Sequence, residues 1–186
     1  YDLRPMAREL VKWQLDYGNR CWPTVFFENH DTTRMPSKVC PEGFYRSELS
    51  KLLAVMQLTM KGCPFIYQGQ EIGMCNGDFK DMSEIRDVEA INYYNELTAK
   101  GEDPEKVFEI IGVGSRDNGR TPVCWTKGEN AGFTTGTPWI KTIDNFERIN
   151  VESQDKDRFS VLNFYRQMTK LRHENEALVY GEFELY

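Results

Sequence analysis

The sequence predicts an α/β fold built from parallel βα units, and two observations carry that prediction. Helical and strand-like patterns alternate from Leu3 to Gly69, which is the order expected of consecutive βα units rather than of an antiparallel sandwich. The two strand-like runs also lack polar–apolar alternation, as befits strands covered on both faces. The chain has 186 residues, 40% hydrophobic and 28% charged, enough for one domain that buries about 70% of its unfolded surface. That composition excludes collagen-like, coiled-coil and wholly disordered chains.

Leu3, Met6, Leu10, Trp13 and Tyr17 recur at alternating spacings of three and four, so they predict an amphipathic helix with Pro5 in its first turn and Gly18 as terminator. Thr24 to Glu28, rich in β-branched and aromatic residues, predicts the first strand and ends in a polar cluster, Asn29 to Arg34. From Tyr45 to Lys61, Leu49, Leu52, Leu53, Met56 and Met60 fall on one helical face, and Gly62 stands where a left-handed cap is wanted. Pro64 to Tyr67 predicts a second strand, closed by Gly69; a proline at its first position is compatible with that.

Beyond Gly69 the pattern changes. A helix is expected over Ser83 to Ala99 and a short one opened by Asp103 and Pro104, an N-cap followed by proline at the first helical position. Gly112 to Ser115 and Gly128 to Pro138 read as ordered loop, and so long an excursion points to function. The last helix is expected from about Asp157 to Glu174, with Val161, Tyr165, Met168 and Leu171 buried and Asn175 closing it. Gly181 to Tyr186 alternates polar and apolar, as a half-exposed antiparallel strand does.

Composition also bounds the partners. Lys and Arg total 23 against 29 Asp and Glu, a net charge of −6, so the chain has no phosphate-binding footprint and no nucleic-acid partner is expected. The uncharged stretch Gly62 to Gln70 is far short of a bilayer span, and no membrane segment is expected. The five cysteines, Cys21, Cys40, Cys63, Cys75 and Cys124, are widely spaced with no C-x-x-C pair; they read as reduced thiols, which places the protein in the cytoplasm.

The polar cluster Glu28 to Arg34 follows the first strand, and the carboxyl ends of parallel strands are where ligands bind. A carboxylate beside a histidine and an arginine can hold sugar hydroxyls and stabilise positive charge developing at an anomeric carbon. The alternative is a satisfied loop in which Asp31 pairs with Arg34 and His30 caps a carbonyl. Arg116 to Arg120 forms a second polar cluster, for which a solvated turn with internal ion pairs is the corresponding alternative. His173 is the only other histidine, so no metal site is expected. Neither a Gly-x-Ser-x-Gly elbow nor a phosphate-cradling Gly-x-x-x-x-Gly-Lys loop is present.

Four stretches in order carry a resemblance: Phe27-Glu28-Asn29-His30-Asp31 with Arg34, Gly62 to Met74, Arg116 to Pro122, and Asn130 to Gly136 leading to Pro138-Trp139. With them the chain resembles the C-terminal part of the catalytic (β/α)8 barrel of the α-amylase superfamily of glycoside hydrolases, in the group of oligo-1,6-glucosidases, dextran glucosidases and trehalose-6-phosphate hydrolases. The resemblance implies a partial TIM barrel: its last two βα units and a long eighth βα loop over residues 1–178, then the first strand of a C-terminal β-domain over residues 179–186. It implies that Asp31 is the third essential carboxylate, that His30 and Arg116 contact the same sugar, that Glu89 lines the leaving-group subsite, and that Arg34 shapes the loop and subsite. The retaining mechanism needs an aspartate nucleophile and a glutamate acid/base about 5 Å apart. In the family these follow the fourth and fifth strands, and neither motif occurs here.

The sequence departs from the family pattern where Gln70 replaces a glutamate, Thr32-Thr33 replaces Gln-Pro, Gly119 replaces alanine and Cys124 replaces glutamine. The implied parent is an α-glucosidase acting on terminal α-1,6 or α-1,4 bonds of short oligosaccharides with no cofactor, of which this chain is a fragment, inactive alone and lacking the N-terminal barrel half. A complete barrel needs about 250 residues, and a partial one exposes strand edges, so self-association is expected. A non-catalytic sugar-binding or scaffold relative of the superfamily is the alternative function.

Overall fold

A computed structural model of the chain describes residues 2, 4–17, 20–41 and 43–184. The first helix, α1 (Arg4–Tyr17), leads to a short strand, β1 (Thr24–Val25). Leu3 and Gly18, the expected start of the apolar stripe and the expected terminator, lie outside the described residues. On α1 only Gln14 is buried, while Trp13 and Tyr17 remain about half exposed. Gln14 docks the helix instead: its Nε2 donates to the Lys61 carbonyl at 3.0 Å and its Oε1 accepts from the Lys61 amide at 2.9 Å.

After β1 come a short helix, α2 (Met35–Val39), which periodicity did not predict, and α3 (Arg46–Thr59), which it did. Pro36 in the first turn of α2 costs no hydrogen bond, because that amide has no helical acceptor. The second strand, β2 (Cys63–Pro64), pairs with β1 in parallel, Thr24 facing Cys63 and Val25 facing Pro64. The expected parallel βα arrangement is therefore present, but both strands are shorter than the runs that predicted them. The bonds flanking the pair include Cys63 N to Pro23 O and Phe65 N to Val25 O, both 2.9 Å. Gln57, wholly buried on α3, then takes the carbonyls of Val25 and Phe65 with its side-chain amide. Gly62 enters β2 at φ +132°, where a Cβ would lie 2.3 Å from the Pro23 carbonyl, so this close approach requires glycine.

The expected helix over Ser83 to Ala99 is broken into a 3-10 turn, Met82–Glu84, and α4 (Val88–Ala99). The break has a local cause: Asp87 is an N-cap whose side chain accepts from the Glu89 amide. Asp103 caps α5 (Pro104–Gly114) in the same way, as predicted, but α5 continues through Gly112 to Gly114, expected as loop. Then follow α6 (Asp117–Arg120), α7 (Val151–Asp155), α8 (Val161–Glu174) and α9 (Glu176–Tyr180). Ser160 caps α8, so that helix starts later than Asp157. Asn175 closes α8 and caps α9, a helix where only the end of the previous one was expected. Gly181 to Glu184 form no strand, since a lone edge segment has no ladder to join; Leu185 and Tyr186 of that expected strand lie outside the described residues.

The main helix contact buries Ala54 and Leu58 of α3 against Val161, Tyr165 and Met168 of α8. The fourth member of the α8 stripe is Arg172, not Leu171, which is 47% exposed. Arg172 reaches the carbonyls of Leu58, Met60, Gly62 and Leu178, and so satisfies the end of α3 where it turns into β2. The helices α4 and α5 share their own core with Phe79, Ile85 and Ile140. A further core joins Ile72, Met74, Val123, Cys124, Ile143 and Ile149. Among the described residues no helix is long and apolar enough to cross a membrane.

One buried ion pair fixes the loop after β1. Arg34 has no exposed surface; its Nη1 donates to Glu28 Oε2 at 3.0 Å and to the Gln68 carbonyl at 2.7 Å, and its guanidinium lies over the Tyr67 ring. The other Glu28 oxygen accepts from the Met35 amide at 2.8 Å. Burial pushes the Glu28 carboxyl up, against the pull of Arg34. Truncating Glu28 leaves a buried cation unpaired, so Glu28→Leu is expected to lower unfolding stability by about 3–5 kcal/mol, and adding Arg34→Met to recover much of it. Urea unfolding midpoints of the two variants check this.

Candidate functional site

The segment from Asn29 to Thr32 forms a tight polar turn at the carboxyl end of β1. The Asp31 amide donates to Asn29 Oδ1 at 2.8 Å, and the Asn29 amide donates to Thr32 Oγ1 at 3.1 Å. These local bonds lift His30 and Asp31 to the surface, with side chains 71% and 51% exposed and His30 Nε2 at 3.3 Å from Asp31 Oδ2. Opposite them stands α6, whose residues divide by face. Asp117, Asn118 and Gly119 are buried, whereas Arg116 and Arg120 project from the other side, one turn apart.

The buried face anchors the turn. Asn118 Nδ2 donates to the carbonyls of Gly112, Val113 and Ser115, satisfying the end of α5. Asp117 Oδ2 accepts from the amides of Arg86 and Asp87 at 2.6 and 2.9 Å, which sets the start of α4. Gly119 is pressed against the Asn29–Thr32 turn: a Cβ there would lie 2.5 Å from the Thr32 carbonyl and 2.9 Å from that of Asn29. Tyr67 Oη donates to the Gly119 carbonyl at 3.0 Å and ties β2's loop to the same spot.

Arg116 joins the carboxylates. Its Nε donates to Asp87 Oδ2 at 2.9 Å and its Nη2 bonds Asp87 Oδ1, a bidentate pair. The same Nη2 is 3.1 Å from Glu89 Oε2, and Nη1 is 3.7 Å from Asp31 Oδ1. Hydrogen bonding to Arg116 holds the Asp87 carboxyl below its ordinary range, and Asp87 in turn raises Arg116. A cleft of about 530 Å³ opens beside this network, with Asp31, Asp87, Glu89, Tyr93, Ile110 and Arg116 in its wall. A second hollow of about 340 Å³, on the His30 side, is walled by Phe26, Phe65 and Tyr67 among others. The arrangement can receive a polyhydroxylated ligand: carboxylates to accept from vicinal hydroxyls, a guanidinium to donate, and aromatic surface alongside.

The structure thus brings together four of the residues singled out in the sequence, His30, Asp31, Glu89 and Arg116. The fifth, Arg34, is withdrawn from it. Expected to shape the loop and subsite, Arg34 fixes the loop from a wholly buried position on Glu28 and the Gln68 carbonyl but offers no atom to a ligand, nor does it pair with Asp31 as the loop alternative required. Two members of the network were missed. Asp87 was readable as an N-cap from its place two residues before Glu89, and Arg120 from its i,i+4 spacing to Arg116. The departures at Gln70 and Cys124 lie in the core. Gln70 donates to Gln57 and Tyr165, and burial pushes the Cys124 thiol up to about 11. All five cysteines are free, and among the described residues no group of three or more His, Cys, Asp or Glu could hold a metal.

Asp87 makes an acid limb of stability predictable. Its folded carboxyl binds a proton less readily than the unfolded one, so its contribution is present above the ordinary carboxylate range and is lost as pH falls through the depressed value. Asp87→Asn is expected to cost about 1.5–3 kcal/mol at neutral pH, and its deficit against the parent should shrink towards pH 3 and below; melting temperatures across that range check it. Gly119→Ala, which must displace backbone, is expected to cost about 1–3 kcal/mol in the same assay.

With the geometry in hand, the chain's likeness to known proteins becomes specific. It is 40% identical over its whole length to an oligo-1,6-glucosidase of Parageobacillus thermoglucosidasius and covers 34% of that protein. It is 42% identical, over 92% of its length, to the trehalose-6-phosphate hydrolase of Escherichia coli (strain K12), of which it covers 31%. Among solved structures, the trehalose-6-phosphate hydrolase of Bacillus licheniformis superposes with a TM-score of 0.94 at 39% identity, over all of this chain and 34% of that one. The chain therefore spans about a third of the length of these relatives. The family model for the catalytic domain of alpha amylase matches residues 1–181, and the chain belongs to that glycoside hydrolase family.

Proposed function

We propose that this chain forms the part of a retaining α-glucosidase that grips the sugar at the cleavage site, in a protein that hydrolyses terminal α-1,6 or α-1,4 bonds of short oligosaccharides. The observation that carries the reading is the convergence on one cleft of Asp31, at the carboxyl end of a parallel strand, with Arg116 and Glu89, while His30 touches Asp31 from the side of the neighbouring hollow. In this reading β1 and β2 are the seventh and eighth barrel strands, and the stretch from Gly69 to Asp157 is the eighth βα loop. Residues 1–178 then belong to the barrel, and 179–186 open a C-terminal β-domain. The unpaired thiols support a cytoplasmic setting.

Asp31 accepts hydrogen bonds from two adjacent hydroxyls of the sugar and holds its ring against the pull of the leaving group. As the anomeric carbon becomes oxocarbenium-like, the fixed negative charge of Asp31 is worth more than in the ground state. His30 donates to the same sugar from the opposite side of the carboxylate. Arg116 sits among three carboxylates and partly offsets their charge, which lowers the repulsion between Asp31 and Glu89 in one cleft. Glu89, 79% exposed at the first turn of α4, faces the leaving-group sugar. The nucleophile and the acid/base come from the parts of the barrel that precede these units, so the chain alone performs no turnover.

In the longer protein, release of p-nitrophenol from p-nitrophenyl α-glucoside is expected, and Asp31→Asn should reduce kcat by on the order of 10²–10³-fold. The 186-residue chain by itself should release none. Turnover by the isolated chain, or full activity of the Asp31→Asn protein, would overturn the assignment. Because Trp13, Phe26, Phe65 and Ile66 remain exposed, the isolated chain should also sediment as an associated species; a stable dilute monomer contradicts that.

A further inference from the structure

Arg120 lies one turn beyond Arg116 on α6, and its side chain is only 24% exposed. Its guanidinium makes two bonds to adjacent residues of the opposite loop. Nη2 donates to Asp31 Oδ1 at 3.0 Å, and Nε donates to the His30 carbonyl at 2.8 Å. Arg116, by contrast, is committed to Asp87 and approaches Asp31 only to 3.7 Å, beyond hydrogen-bond reach. Arg120 is thus the residue that holds Asp31 by a direct arginine–carboxylate bond, and it also holds the backbone that carries Asp31.

The direction of that hold is informative. Arg120 engages Oδ1, and Asp31 Oδ2 lies towards His30. The cleft wall includes Asp31 and Arg116 but not Arg120, so Arg120 stands behind the carboxylate rather than beside a ligand. Its own placement is rigid: Asn118 locks α6 to the end of α5, and Gly119 allows the turn to press against the Thr32 and Asn29 carbonyls. A planar guanidinium bound at two points fixes both the position and the rotation of what it grips.

We propose that Arg120 is a positioning residue that sets the orientation in which Asp31 presents its carboxylate to the sugar. This rests on the α-glucosidase reading above and adds a residue to it. An Asp31 free to rotate still binds hydroxyls in the ground state but meets the developing oxocarbenium charge less well, so the effect belongs to kcat more than to KM.

The test compares Arg120→Gln, Arg120→Lys, Asp31→Asn and the Arg120→Gln/Asp31→Asn double variant of the longer protein, with p-nitrophenyl α-glucoside as substrate. Arg120→Gln is expected to lower kcat by about ten- to a hundredfold with KM nearly unchanged, as for one charge-assisted hydrogen bond. Arg120→Lys should recover part of that, because an ammonium can reach Asp31 but cannot span to the His30 carbonyl as well. The double variant should be no slower than Asp31→Asn, since Arg120 acts through Asp31. Losses that multiply in the double variant, or an Arg120→Gln protein within about twofold of the parent in kcat, would overturn the positioning role while leaving the glucosidase reading intact. A fall in melting temperature shared equally by the Gln and Lys variants, with no rescue by Lys, would also overturn it in favour of a structural role. A parent protein inactive on α-glucosides would overturn both.

Discussion

Taking a carboxylate and a guanidinium out of water together costs several kcal/mol per ion, and the Glu28–Arg34 pair offsets that cost by reaching in several directions at once. Glu28 holds the first amide of α2, and Arg34 holds the Gln68 carbonyl beyond β2, with its ring contact on Tyr67. The pair therefore joins the two ends of the loop between β1 and α2 and ties them to the segment that follows β2. Between those clamped ends, the turn from Asn29 to Thr32 has little choice but to project outward. The exposure of His30 and Asp31 follows from the burial of their neighbours.

A second set of charges, running from the interior to the cleft, mirrors the first. Asp117 is buried and fixes the amides that begin α4; Asp87, the cap of that helix, fixes Arg116. The chain of dependence runs from α5, through Asn118 and Asp117, to α4 and back to α6. Each link satisfies backbone groups at a helix end that would otherwise be unpaired. Arg116 and Arg120 are delivered to Asp31 by this circuit, which explains how a long excursion of short helices and irregular connections holds a fixed arrangement of charge.

Much of this was readable from residues in order. The stripe on α3, the Asp103-Pro104 start of α5 and the two β-branched and aromatic runs gave elements close to where they occur, because each rests on local periodicity or capping. Polar residues at buried positions escaped the same reasoning. Gln57 and Arg172 occupy positions of the α3 and α8 stripes that hydropathy assigns elsewhere, yet they are buried because strand and helix ends offer them carbonyls. Leu52 and Leu171, apolar and so expected inside, are each 47% exposed. The break at Asp87 was passed over for a related reason: the apolar series runs across it, although an aspartate just before Val88 is itself a capping signal.

By itself the sequence determined the family, the parallel βα order and the identity of three residues of the cleft, Asp31, Glu89 and Arg116, since motif spacing and periodicity are properties of neighbouring residues. Only the tertiary structure decided which arginine serves which carboxylate. Arg34 precedes the others in the chain and lies three residues from Asp31, but it turns inward to Glu28. Arg120, 89 residues away, makes the bond to Asp31 instead. The reason is that charge pairing is settled by burial and by the approach of separate segments, and a buried glutamate competes for an adjacent arginine more strongly than a solvated aspartate does.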